Sequence, residues 1–211
     1  MSEPLDADAL MGRRPVIPIL TIENAEHAVP LARALAQGGL DVMEVTLRTP
    51  AALAAIASIA AEVPEVVVGA GTVLNRDDLA RALDAGARFI VTPGLTKDLL
   101  AALLDCTVPL LPGVATASEL MRGLDAGLTR FKFFPAEAAG GASVLAAFAG
   151  PFAMARFCPT GGLNARNAPA YLALPNVLCV GGAWVAPPAA IRAGDWAAIT
   201  RLAREAAALA R

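Results

Sequence analysis

Eight short runs of aliphatic and β-branched residues recur along this chain, each starting roughly 20–26 residues after the last, with Ala- and Leu-rich helical stretches between them. The runs are Val16–Leu20, Val42–Arg48, Val66–Val73, Phe89–Leu95, Leu110–Ala115, Arg130–Ala136, Arg156–Gly162 and Val177–Val185. Ala25–Gln37, Ala51–Ala61, Arg76–Ala85 and Lys97–Leu104 are each long enough for several helical turns, and Asp195 is placed to cap a last helix over Asp195–Ala210. Strands that are apolar on both faces and alternate with helices are parallel strands covered by helices. Eight such units predict a single (β/α)8 TIM barrel spanning residues 1–211 as one domain, with residues 1–14 an N-terminal extension or short helix. An open doubly wound sheet carries a glycine fingerprint after its first strand; here Thr21-Ile22-Glu23-Asn24 follows Val16–Leu20.

Composition removes several classes of function. With 56% apolar and 17% charged residues, disorder is excluded as the main state, and 5% aromatic content makes the core aliphatic. A formal charge of −2 with no basic cluster argues against a nucleic-acid partner. Cys106, Cys158 and Cys179 show no C-x-x-C spacing and read as small core residues of a reduced, cytoplasmic protein. The single histidine, His27, rules out a zinc site built on several imidazoles, so neither metal nor cofactor is expected. Glu3, Asp6 and Asp8 precede Arg13 and Arg14, the reverse of a secretory leader. The uncharged stretch Ala138–Ala155 is broken by Gly140, Gly141, Ser143, Gly150 and Pro151, and reads as a packed helix followed by a turn rather than a membrane span.

In a barrel the chemistry sits at the C-terminal strand ends. The second run, V-M-E-V-T-L-R, has period two, which puts Glu44, Thr46 and Arg48 on the interior face and Met43, Val45 and Leu47 toward the helices. A carboxylate and a guanidinium in that position are costly unless paired or used, so the residues read either as a structural ion pair or as chemistry. The sixth run contains Lys132 between Phe131 and Phe133-Phe134. Of 17 Lys and Arg residues only Lys97 and Lys132 are lysine, so surface cations are arginines and Lys132 needs its own reason. A lysine among aromatic rings is desolvated, which favours its neutral, nucleophilic amine, the form that attacks ketones. The competing reading is a snorkelling lysine paired with Glu137 or Glu44.

Glycines cluster at three strand ends: Gly69–Thr72, Pro159–Gly162 and Gly181–Trp184. The last two close the seventh and eighth runs, where barrels hold phosphate on backbone amides. Pro93 and Pro112 stiffen two other strand ends. An amine, a proton-shuttling carboxylate, an arginine suited to a carboxylate and an anion seat together point to an imine-forming enzyme acting on an anionic carbonyl compound, and a phosphorylated 2-keto acid satisfies every part. The alternatives are a phosphosugar isomerase using Glu44 as base, a ligand-binding barrel in which Lys132 and Glu44 are only a buried pair, and, more distantly, a metal-dependent aldolase.

The strings E-V-T-L-R-T, G-A-G-T-V-L-N, P-G-L-T, F-K-F-F-P-A-E, R-F-C-P-T-G-G and G-G-A-W resemble the 2-keto-3-deoxy-6-phosphogluconate aldolase family, class I aldolases of the Entner–Doudoroff pathway, from Val16 to the C-terminal helix. The resemblance implies a cytoplasmic homotrimer of (β/α)8 barrels that cleaves the sugar acid to pyruvate and D-glyceraldehyde 3-phosphate. It makes Lys132 the Schiff-base amine and Glu44 the acid–base group. Arg48 and Thr72 hold the pyruvate carboxylate, Pro93 and Phe134 shape the pocket, and Gly161, Gly162, Gly182 and Ala183 present amides to phosphate. Thr160 matches the gluconate rather than the galactonate form. The family usually has Ser or Thr where this chain has Ala183. Losing one hydrogen bond to an anion costs on the order of 1.5–3 kcal/mol, which keeps 4-hydroxy-2-oxoglutarate open as a substrate. The remaining residues read as structural: His27, Trp184 and Trp196 as packing, Cys158 as core, Asn75 as a helix cap.

Overall fold

The computed structural model describes residues 5–210; the first four residues of the expected N-terminal extension, and Arg211, lie outside the described residues. The chain runs through β1 (Val16–Leu20), α2 (Ala28–Gln37), β2 (Val42–Thr46), α3 (Ala52–Glu62), β3 (Val67–Gly71), α4 (Arg76–Asp84), β4 (Ile90–Val91) and α5 (Lys97–Leu103). It continues with β5 (Leu110–Leu111), β6 (Gly113–Val114), α6 (Ala117–Asp125), β7 (Arg130–Phe133), α7 (Gly141–Phe148), β8 (Arg156–Pro159), α8 (Ala168–Leu172), β9 (Val180–Gly182), α9 (Pro188–Ala193) and α10 (Trp196–Ala207). A short helix, α1 (Ala7–Gly12), precedes the first strand.

Every named strand pairing is parallel. The ladder order is β5-β4-β3-β2-β1-β9 in one part and β6-β7-β8 in the other. Two joints make these a single ring. β5 and β6 are one strand interrupted at Pro112, which has no N–H for the ladder but still accepts from Lys132 N at 2.9 Å. Across the other gap, parallel bridges join Phe157 to Val177 and Thr160 to Gly181. The chain is therefore the expected (β/α)8 barrel, with the fifth strand split. Strand C-termini fall short of the apolar runs: β2 stops at Thr46 rather than Arg48, and β4 at Val91 rather than Leu95. The runs outlast the strands because Leu47 and Leu95 still pack with the helices, and one more cross-strand bond follows each stop, Leu47 N to Gly71 O at 2.8 Å and Thr92 N to Leu111 O at 3.3 Å.

Alternation along the strands divides the core in two. Val16, Leu20, Met43, Val45, Val68, Ala70, Ile90, Phe131, Phe133 and Phe157 pack outward against the helices. Ile17, Ile19, Val42, Val67, Phe89, Val91, Leu111, Cys158 and Cys179 fill the barrel interior, and Leu10 and Met11 of α1 join them from below. Both α1 residues are fully buried, which stabilises by about 1.5–3 kcal/mol each. Two polar clamps hold this plug to the N-terminal strand ends. Asp8 accepts two 2.6 Å bonds from Arg130, and Asp41 binds Arg13 and Arg14 at 2.8 Å each. The interior is thus closed at one end and can receive a ligand only from the other.

The helices start where side chains can satisfy their first N–H groups. Asn75 accepts from Asp78 N at 2.8 Å, as expected of a cap. Thr116 and Glu119 form a capping box, and Asp195 accepts from Ala198 N at 3.0 Å. The uncharged stretch after Glu137 is helical over Gly141–Phe148 and then turns, and among the described residues no helix is long and apolar enough to cross a membrane.

Candidate active site

Lys132 lies in the middle of β7 and Glu44 in the middle of β2, so they face each other across the open half of the barrel. Nζ stands 3.2 Å from Glu44 Oε1, with 7% and 3% of the two side chains exposed. The choice of partner left open by the sequence falls to Glu44, not Glu137. The desolvation of Lys132 has a different origin from the one expected. Phe131 and Phe133 point outward into the helical layer, because neighbours along a strand face opposite sides. Phe134 alone of the three approaches the amine, with Nζ 5.3 Å from its ring centroid, and the barrel interior supplies the rest of the dry surroundings.

The glycines of G-A-G-T make room for this pair. A side chain at Gly69 would run into the Phe89 ring, and one at Gly71 would occupy the place of the Glu44 carboxylate. Both positions are set by the space that Phe89 and Glu44 need. Thr72, the next residue, has φ of 59°, the sole positive value of a non-glycine among the described residues and costly for a β-branched side chain. Pro93 is half-buried at the end of β4 beside the backbone of Gly113. Thr92 knits these strand ends, donating to Gly94 O at 2.6 Å and accepting from Gly113 N at 3.1 Å.

Arg48 is exposed in the turn after β2, not on the strand as the period-two pattern placed it. It still reaches the mouth, because two threonines hold its head. Nε donates to Thr46 Oγ1 at 3.1 Å, and Nη2 donates to Thr21 Oγ1 at 2.7 Å. Thr46 stands two residues from Glu44 on the same face of β2, so the guanidinium is tied to the strand that carries Glu44.

The two glycine pairs differ in purpose. Gly161 and Gly162 have φ of 106° and 80°, values that favour glycine, and so turn the backbone sharply after β8. Gly181 and Gly182 instead leave space: side chains there would meet Thr160 and the Trp184 ring. The bridge between Thr160 and Gly181 sets both strand ends side by side, so the turn at Gly161 and Gly162 and the residues Gly182 and Ala183 leave the barrel at the same rim. Ala183 is exposed on that rim, with a methyl group in place of a hydroxyl. Trp184 is a packing residue as expected, and His27 meets Trp196 edge-on at 5.6 Å. Cys158 is buried in the interior cluster.

Sequence reasoning passed over Thr21, Thr92 and Tyr171. The first two carried a signal: β1 to β4 are each followed at their C-terminal end by threonine or close on it, at Thr21, Thr46, Thr72 and Thr92. Tyr171, 1% exposed on α8, donates its hydroxyl to Glu137 in the loop after β7. Burial and the Glu137 carboxylate push that phenol above its ordinary value, so it remains a donor. Nothing in the local sequence marks this pairing, which joins a loop to a helix 34 residues away.

The model of a family described as KDPG and KHG aldolase matches residues 7–202. A KHG/KDPG aldolase of Escherichia coli K12 is 56% identical over 95% of this chain and 94% of its own length. A KDPG aldolase of Legionella pneumophila, solved with pyruvate captured at low pH as a covalent carbinolamine intermediate, superposes with a TM-score of 0.95 at 46% identity, covering 97% of this chain and 99% of that one. The 2-keto-3-deoxy-6-phosphogluconate aldolase of Zymomonas mobilis ZM4, solved with 3-phosphoglycerate, gives a TM-score of 0.92 at 53% identity over 98% of this chain and 97% of that one.

Proposed function

The chain belongs to the KDPG and KHG aldolase family, and from that premise we propose how its own residues divide the work of a class I aldolase. It is a carbon–carbon lyase that cleaves 2-dehydro-3-deoxy-6-phosphogluconate to pyruvate and D-glyceraldehyde 3-phosphate. The observation that carries the assignment of roles is the buried 3.2 Å contact between Lys132 Nζ and Glu44 Oε1. Transfer of one proton from Nζ to the carboxylate turns the ion pair into an amine with a lone pair and a carboxylic acid poised beside it.

The amine then adds to the C2 carbonyl carbon, and the carbonyl oxygen takes the proton held by Glu44. Glu44 next receives a proton from the nitrogen and returns it to the C2 hydroxyl, which leaves as water and gives the iminium. As a carboxylate again, Glu44 removes the C4 hydroxyl proton. The C3–C4 bond breaks, its electron pair forms the enamine, and the aldehyde departs. Protonation at C3 and hydrolysis release pyruvate and restore the lysine. One carboxylate serves the transfers at nitrogen, at the C2 oxygen and at the C4 hydroxyl, in keeping with Glu44 as the carboxylate bonded to the amine among the described residues.

Arg48 and Thr72 receive the substrate carboxylate, Pro93 and Phe134 wall the pocket, and the rim of Thr160, Gly161, Gly162, Gly182 and Ala183 takes the phosphate on backbone N–H groups. Ala183 leaves room for a second substrate, 4-hydroxy-2-oxoglutarate. A hydroxyl at that position would add a bond to phosphate, and its absence narrows the advantage of phosphate over a terminal carboxylate. The same reading takes the working unit to be a homotrimer of single-domain barrels in the cytoplasm serving the Entner–Doudoroff pathway; the family resemblance supports it, and sedimentation tests the assembly.

Borohydride reduction with pyruvate tests the central role. The expected result is a covalent adduct at Lys132 and none at Lys97; an adduct elsewhere, or no adduct, overturns it and favours the isomerase reading. For the rim, removing the substrate phosphate should lower kcat/KM by at least about tenfold, and a smaller change means that the rim is wrongly assigned as a phosphate seat.

A further inference from the structure

We infer that Thr21 and Thr46 are positioning residues that fix which edge of Arg48 meets the substrate carboxylate, and so set the enzyme's preference for 2-keto acids over neutral ketones. The inference rests on the reading of Arg48 as the carboxylate clamp. Its ground is the direction of a short hydrogen-bond chain. Thr46 Oγ1 lies 2.9 Å from the carbonyl of Leu20 and must donate to it, since a carbonyl only accepts. Its hydroxyl proton is thereby spent, so in the 3.3 Å contact with Thr21 Oγ1 the donor is Thr21. Thr21 in turn has only its lone pairs for Arg48 Nη2, and Thr46 only its lone pairs for Arg48 Nε. The chain runs one way, from guanidinium to Thr21 to Thr46 to the buried Leu20 carbonyl.

This order has a geometric consequence. Nε and Nη2 form one edge of the planar guanidinium, and the two threonines occupy it. Nη1 bonds to no described residue, so the Nη1–Nη2 edge is left to fork a carboxylate end-on. Arg48 is exposed, and an exposed arginine without these bonds would sample many rotamers and lose that freedom on binding. Anchoring to the strand-one carbonyl removes the loss in advance. It also holds the cation at a constant place relative to Glu44, two residues before Thr46 on the same strand.

The test measures the pyruvate concentration that gives half-maximal borohydride trapping at Lys132. Thr21→Val removes the acceptor at nearly constant volume and should raise that concentration about tenfold, while Thr21→Ser restores it to within about twofold. Trapping of hydroxyacetone, a ketone without a carboxylate, should change by less than about twofold in Thr21→Val. In an Arg48→Met background the same substitution should add nothing, since the threonine acts only through the arginine. Should Thr21→Val not fold, Thr46→Ala removes the other acceptor and is judged by the same concentration ratio. An unshifted pyruvate dependence, an equal loss for both ketones, or a full effect in the Arg48→Met background overturns the inference. No trapping in the unsubstituted protein instead overturns the aldolase roles on which it rests.

Discussion

Gly71 has no side chain where Glu44 has its carboxylate: a Cβ on the β3 residue would lie 1.9 Å from Glu44 Oε1 and 2.5 Å from its Cγ and Cδ. Gly71 keeps an ordinary backbone φ, so its identity is set by space and not by conformation. Gly71→Ala should therefore displace Glu44 from Lys132 while leaving the strand's geometry accessible. Overpacking of this kind costs about 1–3 kcal/mol of stability. A displaced acid–base group should lower kcat by about 10²-fold or more with little change in KM. Steady-state kinetics beside urea melts check both; a variant with normal kcat shows that Glu44 does not need its present place.

The Lys132–Glu44 pair is predicted to be functional at a structural cost. Lys132→Met leaves a buried carboxylate without its cation, and breaking a buried pair from one side costs about 3–5 kcal/mol. Replacing both partners, as Lys132→Met with Glu44→Leu, removes the stranded charge. The double variant should therefore be more stable than either single one, though inactive. Urea unfolding of the three variants checks this; a double variant no more stable than Lys132→Met would show that the pair stabilises the fold in its own right.

The barrel was legible because its signal is repeated. Eight apolar runs at a regular interval outweigh the error in any one boundary, and even Pro112, which splits the fifth strand, leaves the count intact. Glu44 stood out because charge on an interior strand face is rare, and period two placed it there; Lys132 stood out as one of only two lysines, set among aromatic residues. The same local pattern failed for Arg48 and for the phenylalanines. Arg48 lies beyond the end of β2, where period two no longer applies, and Phe131 and Phe133 are sequence neighbours of Lys132 that strand geometry sends to the opposite face. Sequence also cannot tell a glycine needed for φ, as at Gly161 and Gly162, from one needed for space, as at Gly181 and Gly182. Threonines recur at the strand ends, but the Thr21–Thr46–Arg48 chain and the Tyr171–Glu137 bond join residues far apart in sequence, and no local pattern shows such pairings.

Acid should loosen the plug at the base of the barrel. Burial raises the affinity of the Asp41 carboxyl for its proton, but the bonds from Arg13 and Arg14 outweigh this and hold it below the ordinary carboxylate range. A carboxyl depressed in the folded state contributes stability above its unfolded value of about 3.9 and loses it as pH falls through the folded value. The arginines are partly exposed, so the clamp is worth no more than about 1 kcal/mol after solvent screening. Asp41→Asn should lower the urea midpoint at pH 7, and the difference from the unsubstituted protein should shrink below about pH 4. A difference that persists undiminished in acid would assign the effect to packing.

Tyr171 and Glu137 tie the loop after β7 to the helix that follows the Gly161–Gly162 turn, next to the proposed phosphate rim. The backbone repeats the connection: Glu137 N donates to Gly161 O at 3.1 Å, and a side chain at Gly162 would strike the Glu137 stem. Tyr171→Phe removes the hydroxyl bond and keeps the packing, at a cost of about 1 kcal/mol. With the strut gone the rim should order less well, so KM for the phosphorylated substrate should rise about three- to tenfold, with kcat and the pyruvate dependence of imine trapping unchanged. The phenol also has a pH signature. Because its folded value is raised above the unfolded one of about 10, its contribution is complete below that pH and is lost only as pH rises toward the folded value. The stability gap between the unsubstituted protein and Tyr171→Phe should thus be constant from pH 7 to 9 and narrow in stronger alkali. Equal KM values in the two proteins would show that the strut supports the fold alone.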